Sequence, residues 1–296
     1  MAAETYEYGI DFDAVKAIDI HTHVEVDCHG HNAYDDELVD ATRSYFKMGD
    51  TAAASVDELA EYYRQRNAAA VVFTIDAQTA TGHAPNSVED LISGCARNND
   101  VLIPFGSVDP LAERAVVQLG EQVALGVKGF KFHPSVQAFE PNDRRYYPIY
   151  AAIADAGLPA LFHTGQTGLG SGLPGGHGIK MRYSDPVLLD DVAADFPNLT
   201  IVMAHPAVPW VDAQIAIATH KANVYLDLSG YSPKYFPPQL VRALGRQLRT
   251  KALFGTDYPY VQLDRWERDF AALDLDAELA PLVYKENALR VLGLRN

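Results

Sequence analysis

Eight short apolar runs, separated by helix-length connections, constrain this chain more than any other feature of its sequence. They occupy residues 17–21, 70–75, 101–108, 127–133, 159–163, 200–205, 223–228 and 251–255. Near-continuous in Val, Ile, Leu and Phe, they lack the polar alternation of half-exposed strands and read as parallel strands buried on both faces. The connections carry helical signals. Residues 56–66 follow Ser55, whose hydroxyl suits a helix N-cap, and residues 146–156 run up to the breaker Gly157-Leu158-Pro159. Residues 111–125 and 186–196 behave similarly. No run is followed by a glycine-rich dinucleotide loop or a phosphate-binding loop, so the alternation predicts an α/β fold of the (β/α)8 TIM-barrel type rather than an open doubly wound sheet. Without a linker, internal repeat or low-complexity stretch, residues 1–296 read as a single domain.

In such a barrel, reactive groups sit at the C-terminal ends of the strands. Four of the runs lead into metal-ligand residue types there: His21-Thr22-His23, Leu161-Phe162-His163, Val202-Met203-Ala204-His205 and Leu253-Phe254-Gly255-Thr256-Asp257. Alternate side chains of a strand share a face, so the imidazoles of His21 and His23 converge on one point, as ligation requires. A second pair, His29-Gly30-His31, lies in a polar loop with no apolar run before it and is expected to be at most a pocket contact. Two connections exceed what a barrel needs. Residues 24–54, rich in Asp and His, are expected to cover the active site as an insertion. Residues 164–184 contain Gly168, Gly170, Gly172, Gly175, Gly176 and Gly178, a composition suited to mobility or to close approach of a ligand.

The hydrophobic fraction of 48% and charged fraction of 21% are those of an ordinary soluble protein. A formal charge of −15 argues against nucleic acid and anionic membranes as partners, without excluding an anionic substrate held by a few local cations. Two cysteines, Cys28 and Cys95, are too few for a disulfide framework. The N-terminus lacks the basic start and apolar core of a signal peptide, and no apolar run approaches the ~20 residues that span a bilayer. The expectation is a cytoplasmic protein.

Five motifs then carry a resemblance. Ile18-Asp19-Ile20-His21-Thr22-His23, Gly129-Phe130-Lys131-Phe132-His133-Pro134, Phe162-His163-Thr164-Gly165, Ala204-His205-Pro206 and Phe254-Gly255-Thr256-Asp257-Tyr258-Pro259 occur in this order, with a closing helix beginning Lys285-Glu286-Asn287. From about residue 17 to its end, the chain resembles the amidohydrolase superfamily. Within it, the resemblance is to the branch that holds aminocarboxymuconate-semialdehyde decarboxylase, γ-resorcylate decarboxylase and related lactone and β-keto hydrolases. The stretch from Leu228 to Phe236, with Arg182 in the glycine-rich loop, is similar to aryl β-ketoacyl-CoA hydrolases. The resemblance implies His21, His23, His163 and Asp257 as ligands of one divalent metal, most often zinc, with His205 nearby as an acid/base group. It also implies a homodimer. Lys131 stands where binuclear members carry a carboxylated lysine; because this branch generally uses one metal, Lys131 is expected instead to supply local positive charge for substrate binding or a structural pair.

The residue types agree with these implications. Three neutral imidazoles and a carboxylate form an N/O donor set that suits zinc, with manganese or cobalt as alternatives. A metal in such a site can bring the pKa of a water down to about 7. Asp257 can both hold the metal and take the water's proton, and His205 can polarise a carbonyl or protonate a leaving group. Arg182 is a candidate carboxylate clamp for a carboxylate or thioester substrate, Lys180 a weaker one. His133, two residues after Lys131 and on the same strand face, is either a pocket residue or a strand cap. Asp76, Asp109 and Asp227, near other strand ends, are expected in supporting or turn roles. Three readings remain: hydrolysis of a carbonyl substrate at a C–C or C–O bond, non-oxidative decarboxylation of an aromatic or dienoic acid, and a non-catalytic metal-stabilised binding protein. The compact chain and the glycine-rich loop favour the hydrolase.

Overall fold

The computed structural model describes residues 5–48 and 53–295. Eight strands follow one another: β1 (Ala17–His23), β2 (Ala68–Phe73), β3 (Leu102–Pro104), β4 (Phe130–Phe132), β5 (Ala160–His163), β6 (Ile201–Ala204), β7 (Val224–Asp227) and β8 (Ala252–Leu253). Each pairs in parallel with its sequence neighbour within β1–β3 and within β4–β8. Parallel bridges between Gly106 and Phe130 and between Thr22 and Tyr258 join the two ladders into a ring. The (β/α)8 TIM barrel expected from the sequence is the observed fold.

The two-sided burial of the strands explains their unbroken apolarity. Ile18, Val71, Phe73, Ile103, Leu161, Val202 and Leu253 fill the barrel interior. Their neighbours, among them Ala17, Val72, Phe162 and Met203, pack with Leu59, Leu91, Leu119, Ile153 and Val192 from the surrounding helices. Helix starts follow the sequence signals. The helix Val56–Arg64 opens on a reciprocal pair in which Ser55 accepts from the Glu58 backbone and Glu58 accepts from that of Ser55. Helices Ala115–Ala124, Tyr147–Asp155 and Val187–Asp195 lie within the predicted stretches.

Three departures from the expected strands bear on the site. β3 is shorter than residues 101–108, because the Gln122 side chain takes over the backbone of Ser107: Ser107 N donates to Oε1 at 3.1 Å and Gln122 Nε2 to the Ser107 carbonyl at 2.8 Å. β8 is also short, because Phe254 N leaves the ladder to donate to the Val283 carbonyl at 2.8 Å. β1 shifts register between Asp19 and Thr22. The shift lets consecutive residues face inward, Ile20 into the interior cluster and His21 towards Lys131 and Asp227.

Residues 49–52 of the stretch 24–54 lie outside the described residues; the rest contains the helix Asp36–Phe46. The glycine-rich stretch 164–184 forms two short 3-10 turns, Pro174–Gly178 and Met181–Ser184. No helix among the described residues is long and apolar enough to cross a membrane.

Candidate metal centre

At the C-terminal mouth of the barrel, β1 and the turn after β8 bring three ligand-type atoms together. His21 Nε2 lies 3.3 Å from His23 Nε2, His23 Nε2 lies 3.0 Å from Asp257 Oδ1, and that oxygen lies 3.2 Å from His21 Nε2. His163, at the end of β5, faces the same space with a buried Nε2 that has no hydrogen-bond partner. Its ring stacks on His133 at 3.8 Å between centroids and stands 4.7 Å from the ring of His205, which follows β6. His205 is in turn 4.7 Å from the His21 ring. Lys131, fully buried on β4, places Nζ 3.2 Å from His21 Nε2.

Two buried carboxylates outside this cluster hold it in shape. Asp19 accepts four hydrogen bonds, from His21 N (3.0 Å), Thr256 N (3.0 Å), Thr256 Oγ1 (2.6 Å) and Tyr63 Oη (2.6 Å). It thereby ties the backbone of a site histidine to the turn that presents Asp257. Burial pushes the Asp19 pKa up to about 6 despite these donors. Asp227, at the end of β7, accepts from His21 Nδ1, which leaves Nε2 as the atom turned to the cluster. It also accepts from Ser229 N at 2.8 Å and Ser229 Oγ at 3.0 Å, and Ser229 Oγ lies 2.9 Å from His205 Nδ1. The backbone is fitted to this packing. His205 and Asp257 hold φ of 67° and 66°, and a Cβ on Gly255 would come 2.3 Å from Asp227 Oδ1.

The electrostatics favour ligands over charges. Burial, above all, lowers the pKa of His23 to about 4 and that of His205 to about 3, and holds His133 and His163 well below the ordinary histidine value. These imidazoles are neutral, with a lone pair to offer. Burial also brings Lys131 down to about 8. For His21, burial and Lys131 act downwards, but Asp227 and Asp257 outweigh them and the pKa is raised. For Asp257, burial opposes ionisation, yet His21 and His205 hold it well below the carboxylate range. A buried, unpartnered nitrogen such as His163 Nε2 costs roughly 1–3 kcal/mol. With three converging ligand atoms beside it, the donor set fits a divalent cation such as zinc or manganese.

The cluster forms the floor of a cleft of about 110 Å³. Its walls are aromatic: Tyr34, Tyr45 and Phe46 from the connection after β1, Tyr231 after β7 and Tyr260 after β8. Phe46 stacks on Tyr260 at 4.2 Å, and Gln166 donates to Tyr231 Oη at 2.9 Å.

His21, His23, Lys131, His133, His163, His205 and Asp257 therefore share one cleft. His133 also caps the short helix Pro134–Gln137, its Nδ1 accepting from Val136 N at 3.4 Å. Arg182 is not brought to the cleft. Its side chain is 65% exposed, lies over Tyr183 and pairs with Glu140 at 3.7 Å. His31 bonds the Ala84 carbonyl, and His29 groups with Cys28 and Asp90 on the exposed surface. Asp109 accepts from Thr79 N and Leu111 N as a turn residue. Sequence reasoning missed the roles of Asp19, Ser229 and Phe46. Only Asp19 carried a signal, an acid inside an otherwise apolar run.

Comparison with known proteins places the chain among relatives. A family model described as amidohydrolase matches residues 18–294. No curated protein matches significantly. Among solved structures, an uncharacterised TIM-barrel protein from Bordetella bronchiseptica is 25% identical, with 95% of this chain and 99% of that one covered and a TM-score of 0.78. A 5-carboxyvanillate decarboxylase from Novosphingobium aromaticivorans, complexed with manganese and 4-hydroxy-3-methoxy-5-nitrobenzoic acid, is 14% identical, with 99% and 100% covered and a TM-score of 0.66. A probable 2-pyrone-4,6-dicarboxylic acid hydrolase from Acinetobacter baumannii is 12% identical, with 94% and 100% covered and a TM-score of 0.62. At such identities the last two share the fold.

Proposed function

Because this chain belongs to the amidohydrolase family, we propose that its cleft is that of a metal-dependent hydrolase acting on an aryl carbonyl substrate, with an aryl β-ketoacyl thioester as the best-fitting form. One observation carries the choice of hydrolysis. Imidazoles and the Asp257 carboxylate line the floor and aromatic rings the walls; no arginine lines this cleft among the described residues, Arg43 lying in the adjoining cavity that shares His23, Tyr34 and Tyr260 with it. The one lysine there is buried beneath His21. A free carboxylate would have only the metal and the buried Lys131 to meet it, with no guanidinium fork in the walls, whereas a thioester carbonyl needs no cation beyond the metal.

His21, His23, His163 and Asp257 would hold the metal. Bound there, a divalent cation supplies Lewis acidity and makes a water a nucleophile near neutral pH. The chain supplies the rest. Asp257, kept ionised by its histidine neighbours, accepts the proton that the attacking water gives up. His205 carries a proton between that carboxylate and the leaving group. Tyr34, Phe46 and Tyr260 offer faces on which an aryl ring packs. For a β-keto thioester, water adds at the ketone carbon and the C–C bond to the thioester-bearing carbon breaks. That carbon takes the proton returned by His205, giving an aryl carboxylic acid and a shortened thioester.

The test combines metal analysis with turnover of two substrates by the purified protein, an aryl β-ketoacyl thioester and a hydroxybenzoate. Near one metal per chain, with thioester cleavage and no CO2, is the expected result. Release of CO2 from the hydroxybenzoate would replace hydrolysis with decarboxylation. About two metals per chain would make Lys131 a bridging ligand.

A further inference from the structure

We infer that Ser229 is a positioning residue which, together with Asp227, holds neutral His205 as the Nδ1–H tautomer and presents Nε2 to the cleft as a lone pair. Asp227 faces three donors: His21 Nδ1, Ser229 N and Ser229 Oγ. A carboxylate only accepts, so the 3.0 Å contact between Ser229 Oγ and Asp227 Oδ2 needs the single hydroxyl hydrogen of Ser229. That hydrogen is then not available for the 2.9 Å contact between Ser229 Oγ and His205 Nδ1. The hydrogen of the second contact must come from the imidazole. The opposite arrangement, with Ser229 donating to His205, would leave two acceptor oxygens facing each other at 3.0 Å in a fully buried place.

The surroundings keep this edge of the ring free of other partners. Ser229 and Asp227 are both fully buried, and Gly230 packs so closely that a Cβ there would lie 2.6 Å from His205 Nδ1. One carboxylate thus sets the orientation of two site histidines, His21 directly and His205 through a hydroxyl. The consequence for chemistry is an order of events. His205 takes a proton at Nε2 before it gives one, which, resting on the reading of His205 as the proton carrier, makes it the acceptor that relieves Asp257 and then the donor to the leaving group.

The experiment is a long-range 15N–1H correlation spectrum of metal-free protein labelled with 15N-histidine, at neutral pH. His205 is identified by the signal lost in His205→Gln. The expected result is a proton-bearing Nδ1 and a bare Nε2 for His205 in the wild type, with loss of that preference in Ser229→Ala while the other histidine signals stay in place. A His205 protonated at Nε2 in the wild type overturns the inference, as does a tautomer unchanged by Ser229→Ala. The wild-type spectrum decides even if the variant does not fold. Since the spectrum needs no substrate, the expected tautomer in a protein that turns over neither test compound would leave the inference standing and remove the functional reading.

Discussion

Gly230→Ala tests whether the packing around His205 sets the rate. Gly230 has φ of +75°, and its added Cβ would sit 2.6 Å from His205 Nδ1, against the 3.4 Å at which ordinary contact begins. The shortfall is about 0.8 Å, and either the backbone or the imidazole must yield it. The left-handed backbone alone costs an alanine roughly 1–2 kcal/mol, which for a chain of this size lowers the melting temperature by about 2–8 °C. Displacing a reacting group by about 1 Å can cost up to about 100-fold in rate. Gly157→Ala separates the two effects, because Gly157 has φ of +68° with nothing within 4 Å of the added carbon. Both variants should melt lower, Gly230→Ala by at least as much as Gly157→Ala. Turnover, measured at equal metal content, should fall about 10- to 100-fold in Gly230→Ala and change less than about twofold in Gly157→Ala. Equal turnover in the two variants would refute the claim that Gly230 exists to seat His205.

Four other expectations follow from the same geometry. Tyr63→Phe removes a 2.6 Å hydrogen bond to the buried Asp19 carboxylate and should cost roughly 1.5–3 kcal/mol by denaturant unfolding; a loss under about 0.5 kcal/mol would mean that Asp19 is not braced by Tyr63. Arg182→Ala should leave kcat/KM within about twofold, since the guanidinium points to Tyr183 and Glu140, and a tenfold drop would place it in the cleft during turnover. Stripping the metal with a chelator should lower the melting temperature, with zinc or manganese at ~100 times the dissociation constant returning about 2.7 kcal/mol. His163→Ala should weaken that rescue, and full rescue would remove His163 from the ligand set.

Much of the barrel was legible because its physics is local. Strands buried on both faces must be apolar throughout, and helices announce their starts through residues such as Ser55. The site histidines were legible for the same reason, since strand ends in a barrel converge. The supporting groups were not. Asp227 was visible as an acid at a strand end, but its pairing with His21 spans 206 residues and depends on the register shift in β1. Ser229 and Phe46 carry no pattern at all; one is a serine in a turn, the other the end of an amphipathic helix. Arg182 was read as a carboxylate clamp from its residue type and its place in the glycine-rich loop, while its direction is decided by Tyr183 and Glu140. The early ends of β3 and β8 were hidden similarly, since the Gln122 side chain and the Val283 carbonyl replace ladder partners that no periodicity records.

The brace at Asp19 makes the metal centre a sensor of completion. Its donors come from the first strand, the second helix of the chain and the turn after the last strand, and His21, His23 and Asp257 meet across that same junction. A barrel assembled up to its seventh strand lacks Leu253 from its interior and a carboxylate ligand from its mouth, and β1 has no partner on that side. High-affinity metal uptake therefore marks the moment the ring shuts. In refolding followed by a zinc indicator, uptake should coincide with the last phase of tertiary signal rather than with the first appearance of helix.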